Sequence, residues 1–195
     1  MRTSLLLLAA PLLLAPAAPA QWALEPAKDH TIWNAVGGNL SNGAGVYLFA
    51  GRTNPNALHP IRRAFLAFDV ASHVPAGTTI TDVRLVVHLS MAIGGPQPLA
   101  LHRVSADWGE AGSKAIGTEA GGAPAQTGDV TWDHTFFPGS FWTNKGGDFS
   151  ATASGTAVID NRVTWHAFES TPQMVADVQS WLDDPANDFG WVMIG

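Results

Sequence analysis

The chain reads as an all-β domain of antiparallel strands with one short helix late in the sequence. Three observations predict this. Charged residues make up only 13 % of the chain, with 20 Gly and 13 Pro spread between short runs of Val, Leu, Phe and Trp, the composition of many strands separated by many turns. Residues 62–70 and 80–90 each alternate with a period of two on either side of Pro75-Ala76-Gly77, as strands do. A helical spacing of apolar residues recurs convincingly in one place, 172–183.

The elements follow in order. Residues 30–33 are a short strand, 37–45 an Asn/Gly loop, 46–50 a second strand, and 52–60 a loop carrying Asn-Pro-Asn and His-Pro. In 62–70, Ala64, Leu66, Phe68 and Val70 point one way and Phe65, Ala67 and Asp69 the other. Pro75-Ala76-Gly77 then turns the chain, because Pro presets φ and Gly takes a positive φ without a Cβ clash. Asp69, beside this corner, suits acceptance of turn N–H groups. Beyond the corner, Val83, Leu85, Val87 and Leu89 share a dry face, and Arg84, Val86, His88 and Ser90 a wetter one.

Gly94-Gly95-Pro96 turns into a strand around 99–104. Residues 113–128 form a long Gly/Ala/Thr-rich loop, 129–133 a short strand centred on Trp132, and 134–155 an aperiodic stretch, long enough to be either a functional loop or an excursion packed by its own aromatics. A strand at 162–168 precedes the helix. Ser170 or Thr171 caps that helix, Pro172 fits its first turn, and Val175, Val178 and Leu182, flanked by Met174 and Trp181, form its stripe. Asp184-Pro185 ends it, and 189–194 is a closing strand.

Residues 1–20 have the three parts of a secretory leader: Arg2, an apolar run over 5–15, and Ala18-Pro19-Ala20 before Gln21. That run is too short and too Pro-rich to span a bilayer, and no later stretch is apolar enough. The expectation is a secreted or cell-surface chain with one β-sandwich domain over 21–195. About 175 residues can bury a sizeable core, which suits a chain without Cys. A net charge of −6 with no Lys/Arg run does not suit nucleic acid or anionic lipid.

With this order laid out, five stretches together resemble the DNRLRE domain family, also treated as carbohydrate-binding module family 96. They are "HTIWNAVGGNLSNGAGVYLFAGRT", "RRAFLAFDVASHVPAGTTITDVRLVVHL", "LHRVSADWGEAGSKA", "GDVTW" and "MVADVQSWLDDPANDFGWVMIG". The resemblance implies a jelly-roll-like antiparallel β-sandwich, secreted, of a kind attached to polysaccharide-active enzymes or surface proteins. The family's Arg-Glu segment and final strand are missing after Gly195. The expectation is therefore a domain lacking its last strand, with one edge left without a partner.

Catalytic patterns are not visible. Seven His are scattered without a His-Glu-x-x-His spacing, and there is no Gly-x-Ser-x-Gly elbow, Gly-rich phosphate loop or Cys nucleophile. A non-catalytic module is expected, with an enzyme fragment disfavoured. Polysaccharide binding needs flat aromatic surface with polar handles, and eight Trp are a rich supply. Trp132, Trp181 and Trp191 read as core. Trp142, in the excursion with Phe141, Asn144 and Lys145, is the leading exposed candidate. Trp33 follows, and Trp108 has a competing role as a plug of the sandwich end. The candidate ligand-binding residues are thus Trp142, Trp33, Trp108 and Asn144. No cofactor is identified. Calcium stays open, since Asp107, Glu110, Asp129, Asp133 and Asp148 lie in or beside loops, but their spacing matches no EF-hand and no metal ligand is assigned. The alternative function is a structural or adhesive domain of an exported surface protein with no glycan ligand.

Overall fold

The computed structural model describes residues 20–53, 56–92 and 94–195. The expected leader lies, apart from Ala20, outside the described residues. In chain order the strands are β1 (Lys28–Trp33), β2 (Leu40–Asn42), β3 (Gly51–Arg52), β4 (Ile61–Ala67), β5 (Leu85–His88), β6 (Gln97–Arg103), β7 (Ala123–Pro124), β8 (His134–Phe136), β9 (Ser140–Phe141), β10 (Gly155–Ile159), β11 (Trp165–Phe168) and β12 (Trp191–Ile194). Helices α1 (Val70–His73) and α2 (Pro172–Asp183) complete the set with a 3-10 turn at Pro185–Asn187. The fold is an all-β antiparallel sandwich with one substantial helix late in the chain.

The main sheet runs β10-β6-β12-β4-β1-β2-β7, with β3 also on β4. Every pairing is antiparallel. The closing strand β12 is central, bonded to β4 on one side and β6 on the other, and the sheet ends at β10 and β7. Strands β5 and β11 form a separate two-stranded sheet, and β8 and β9 a hairpin.

The main sheet is buried on both faces, and β4 shows why. Its alternation sends Ala64 and Leu66 into one core, and Phe65 and Ala67 into another. The first core joins Leu101, Trp191 and Met193 of the sheet to Leu85 of β5, Phe168 of β11, and Met174, Trp181 and Leu182 of α2. The second joins Ile32 and Val192 to Trp108, Val130 and Trp142 from the long loops. Each large apolar side chain moved out of water contributes about 1.5–3 kcal/mol, so both layers hold the sheet.

Helix α2 has the predicted bounds. The hydroxyl of Thr171, not Ser170, caps it by accepting from Met174 N at 3.0 Å, with Pro172 in the first turn. Its buried face includes Asp177 at the centre of the apolar stripe. That carboxylate accepts from Ser154 Oγ, from Trp191 Nε1 at 2.8 Å and from Gln173 Nε2 at 2.9 Å, with the Arg103 guanidinium 4.0 Å away. It therefore joins α2 to β12 and to the approach to β10.

Several expected elements differ. Residues 46–50 are not a strand, because their N–H groups go to side chains: Val46 and Tyr47 donate to the Glu119 carboxylate, and Phe49 to Thr31 Oγ1. The second strand is instead β2, inside the expected Asn/Gly loop. The strand before the Pro-Ala-Gly corner stops at Ala67, and Asp69 caps the short helix α1 by accepting from Ser72 N at 3.2 Å. The corner itself is a turn, with Thr78 N donating to Pro75 O and Gly77 at φ +81°, as the third position of a type II turn requires. Residues 129–133 carry no strand, while β8, β9 and β10 occupy segments where none was expected. Among the described residues no helix is long and apolar enough to cross a membrane.

Candidate functional site

The residues expected to meet a ligand are mostly inside. Trp142 is only 6 % exposed. Its ring stacks on Phe65, with centroids 5.7 Å apart, and its indole N–H donates to Thr131 O at 3.0 Å. The excursion folds back on the sheet and turns its largest side chain inward, which overturns the expectation of an exposed platform. Trp108 is also fully buried, edge-on to Phe65 at 5.5 Å, donating to Phe189 O and roofed by Lys28. It is a core residue, packed with Ile32, Phe65 and Val192. Trp33 is buried too, against Phe49, with its N–H on Ala120 O. Trp132, expected in the core, is only half-buried, beneath the Arg63 guanidinium. Asn144 alone is exposed. Its backbone N and Nδ2 both donate to Asp148 Oδ1, which fixes a turn beside an open trough lined by Ser105, Thr143 and Phe149.

The five loop carboxylates do not converge. Asp107 pairs with Lys28 at 3.0 Å, Glu110 accepts from Asp29 N, Asp133 pairs with Lys145 at 2.8 Å, and Asp148 is committed to its turn. Asp129 is buried, with Ala111 N on Oδ1 and Gln126 N on Oδ2. Among the described residues no group of three or more His, Asp or Glu is arranged to hold a metal.

Asp129 meets His30 and Ser41, residue types that elsewhere make a nucleophilic relay. The geometry here is different. Both Ser41 Oγ, at 3.2 Å, and Asp129 Oδ1, at 3.3 Å, approach the same imidazole nitrogen, Nε2. The Ser41 hydroxyl donates to Val130 O at 2.6 Å, and all three residues are sealed from solvent. A relay needs the nucleophile and the orienting carboxylate on opposite nitrogens of the imidazole base, and a nucleophile that substrate can reach. This trio instead staples loop 126–130 to β1 and β2. Burial opposes ionisation of Asp129, but hydrogen bonds from His30, Gln126 N and Ser113, together with the His30 charge, outweigh it and hold the carboxyl below its usual range.

A second carboxyl behaves in the opposite way. Asp188 lines a pocket of about 200 Å³ with Lys28, Phe68, Asp69 and Pro185. Burial pushes it up to about 6, against hydrogen bonds from Val70 and Gly190 N–H, with nearby Asp69 adding to the rise and Lys28 opposing it. Its Oδ1 is buried with no hydrogen-bond partner.

The exposed aromatic surface lies elsewhere. In the β5–β11 sheet, Leu85 pairs with Phe168 and both point into the core. The opposite face carries Val86 beside Ala167 and His88 beside Trp165. Trp165 is 67 % exposed and Val86 52 %. The His88 ring stands edge-on to the indole at 5.0 Å, and the Arg84–Glu169 ion pair, at 3.0 Å, extends the same row. Phe141 is as exposed as Trp165 but sits at the β8–β9 hairpin, over His134. Sequence reasoning placed Val86 and His88 on a wet face yet passed over Trp165. The signal was there: Phe168 is apolar and three residues on, an odd separation that puts the two on opposite faces.

No family model matches the chain, and no curated protein or solved structure matches it either.

Proposed function

We propose that this chain is a secreted, non-catalytic β-sandwich module that binds polysaccharide. The observation that carries the reading is Trp165, a large indole left open on a sheet face beside an imidazole. Sugar rings present C–H faces that pack on aromatic surface, and their hydroxyls take hydrogen bonds from polar groups at the rim. His88, Arg84 and Glu169 supply such groups on the same face. The five stretches that resemble the DNRLRE family support the same class of ligand and the leader-like residues 1–20 support export.

The test is retention of the purified chain on a panel of insoluble and gelled polysaccharides, with the parent compared to Trp165→Ala. The expected result is retention by at least one glycan, lost in the variant at unchanged melting temperature, since the side chain packs little. A parent retained by no polysaccharide would end this reading and favour a structural or adhesive domain.

A further inference from the structure

The outer face of the β5–β11 sheet is a strip with an order to it. Its rows are Arg84 with Glu169, Val86 with Ala167, and His88 with Trp165. The antiparallel ladder continues past the strands, because Leu89 N donates to Thr164 O at 2.9 Å. This adds Ser90 and the exposed Val163 as a fourth row. At about 3.3 Å per residue, the strip from Arg84 to Ser90 is roughly 20 Å long, while its width is that of two strands. Its middle is apolar and aromatic, one end is the Arg84–Glu169 pair, and the other is Ser90 beside Val163.

The positive charges on and beside the strip already have carboxylate partners. Arg84 Nε lies 3.0 Å from Glu169 Oε2 and 3.7 Å from Asp82 Oδ2. Arg162, just beyond Trp165, is held by Asp160 through Nε at 2.7 Å and Nη2 at 2.6 Å. Asp160 also has His166 Nε2 at 3.7 Å. Neither guanidinium offers a free positive charge. A uronate or sulfated chain would have to displace a carboxylate that already occupies its place, and would meet Asp82, Glu169 and Asp160 on the way. A neutral chain meets no such opposition, because hydroxyls accept from guanidinium and donate to carboxylate without breaking the pairs.

Resting on the polysaccharide-binding reading, we infer that this strip takes a neutral, linear glycan chain laid along the strands. One pyranose stacks on Trp165, the chain runs over Val86 and Ala167, and its far hydroxyls bond to the Arg84–Glu169 pair.

Affinity electrophoresis of the whole chain in gels containing hydroxyethylcellulose, arabinoxylan, galactomannan or polygalacturonate tests this, at low and high salt. The expected result is retardation by at least one neutral polymer, little changed by salt, and reduced tenfold or more by Trp165→Ala. The double variant Asp82→Ala/Glu169→Ala, which frees Arg84, is expected to gain salt-sensitive retardation by polygalacturonate. Retardation of the parent by polygalacturonate alone, weakening with salt, would overturn the inference while leaving polysaccharide binding in place. Unchanged retardation of Trp165→Ala by a neutral polymer would remove this face from the site. No retardation by any of the four would take the underlying reading down with it.

Discussion

On one face of the central sheet, α2, β5 and β11 cover Ala64, Leu66, Leu101 and Trp191 with regular elements whose own periodicity buries them. On the other face, residues 105–150 cover Ile32, Phe65 and Val192 with little regular structure. There the backbone is satisfied one group at a time. Val130 N donates to Gly109 O, Gly109 N to Thr135 O and Phe137 N to Asp129 O, while carboxylates and hydroxyls take much of the rest. The comparison shows two ways of closing a sheet face. One uses repeating hydrogen bonds that local pattern predicts, and the other uses single long-range bonds that it does not.

The largest effects test the two cores by their tryptophans. Trp142→Ala and Trp181→Ala should each lower unfolding free energy by about 3–5 kcal/mol, read from denaturant midpoints. The Phe variants should separate the two faces. Trp142 donates to Thr131 O, whereas Trp181 Nε1 has no hydrogen-bond partner. Trp142→Phe therefore orphans a buried carbonyl and should cost about 1–3 kcal/mol more than Trp181→Phe. Equal costs would mean that the loop layer does not depend on such single bonds.

Next in size is the buried carboxylate at the heart of the helical core, Asp177. Asp177→Ala leaves the donors of Ser154, Trp191 and Gln173 without an acceptor. A loss of about 3 kcal/mol is expected. Asp177→Asn should lose less, since an amide oxygen in the place of Oδ2 still accepts from Ser154 and Trp191. If Asn proves as damaging as Ala, the charge facing Arg103 is what matters.

These residues also show how far pattern reaches. The helix, the inward face of 83–89 and the last strand were legible because their signal is local: a period of 3.6 or two, a Thr cap, an Asp-Pro stop. The 46–50 run has the apolar composition of a strand, but its N–H groups are taken by Glu119, more than seventy residues away. Trp142 looks like a loop-tip platform until the excursion folds onto Phe65. Asp177, in a stripe of apolar residues, reads as an exposed position unless its donors on other elements are known. Trp165 was within reach, since counting from Phe168 along a strand puts it outward. Of the candidate face, then, β5 was legible and the indole across from it was not picked out.

Smaller effects come from two of the shifted carboxyls, Asp129 and Asp188, which depart from their usual range in opposite senses. Asp129, on the loop-built side, is held below its unfolded value of 3.8. Its contribution is present above that value and disappears as pH falls through the folded one, so stability should drop below about pH 4. Asp188 is raised from 3.8 to about 6. Between those values the folded chain binds the extra proton, so this group lowers stability as pH rises from about 4 to 6 and leaves a constant penalty above. Asp188→Asn should remove that slope and raise the urea midpoint at neutral pH, while Asp129→Asn should flatten the acid limb. A parent profile flat from pH 4 to 6 would show that the pocket beside Lys28 is wetter than its geometry implies.

The smallest effect concerns Asp69, whose side chain caps α1 from an exposed position at the border between the layers. Asp69→Ala removes the acceptor of Ser72 N and a helix cap. It also removes the negative charge that helps to raise Asp188. The two consequences oppose each other at neutral pH, where Asp188 is ionised and the lost repulsion is a gain. At low pH Asp188 is protonated and only the lost cap remains. The variant should therefore be more destabilising, relative to the parent, at pH 4.5 than at pH 7.5, with polysaccharide retention unchanged because Trp165 is on another sheet. Equal destabilisation at both pH values would separate Asp69 from Asp188 and leave the cap as its sole role.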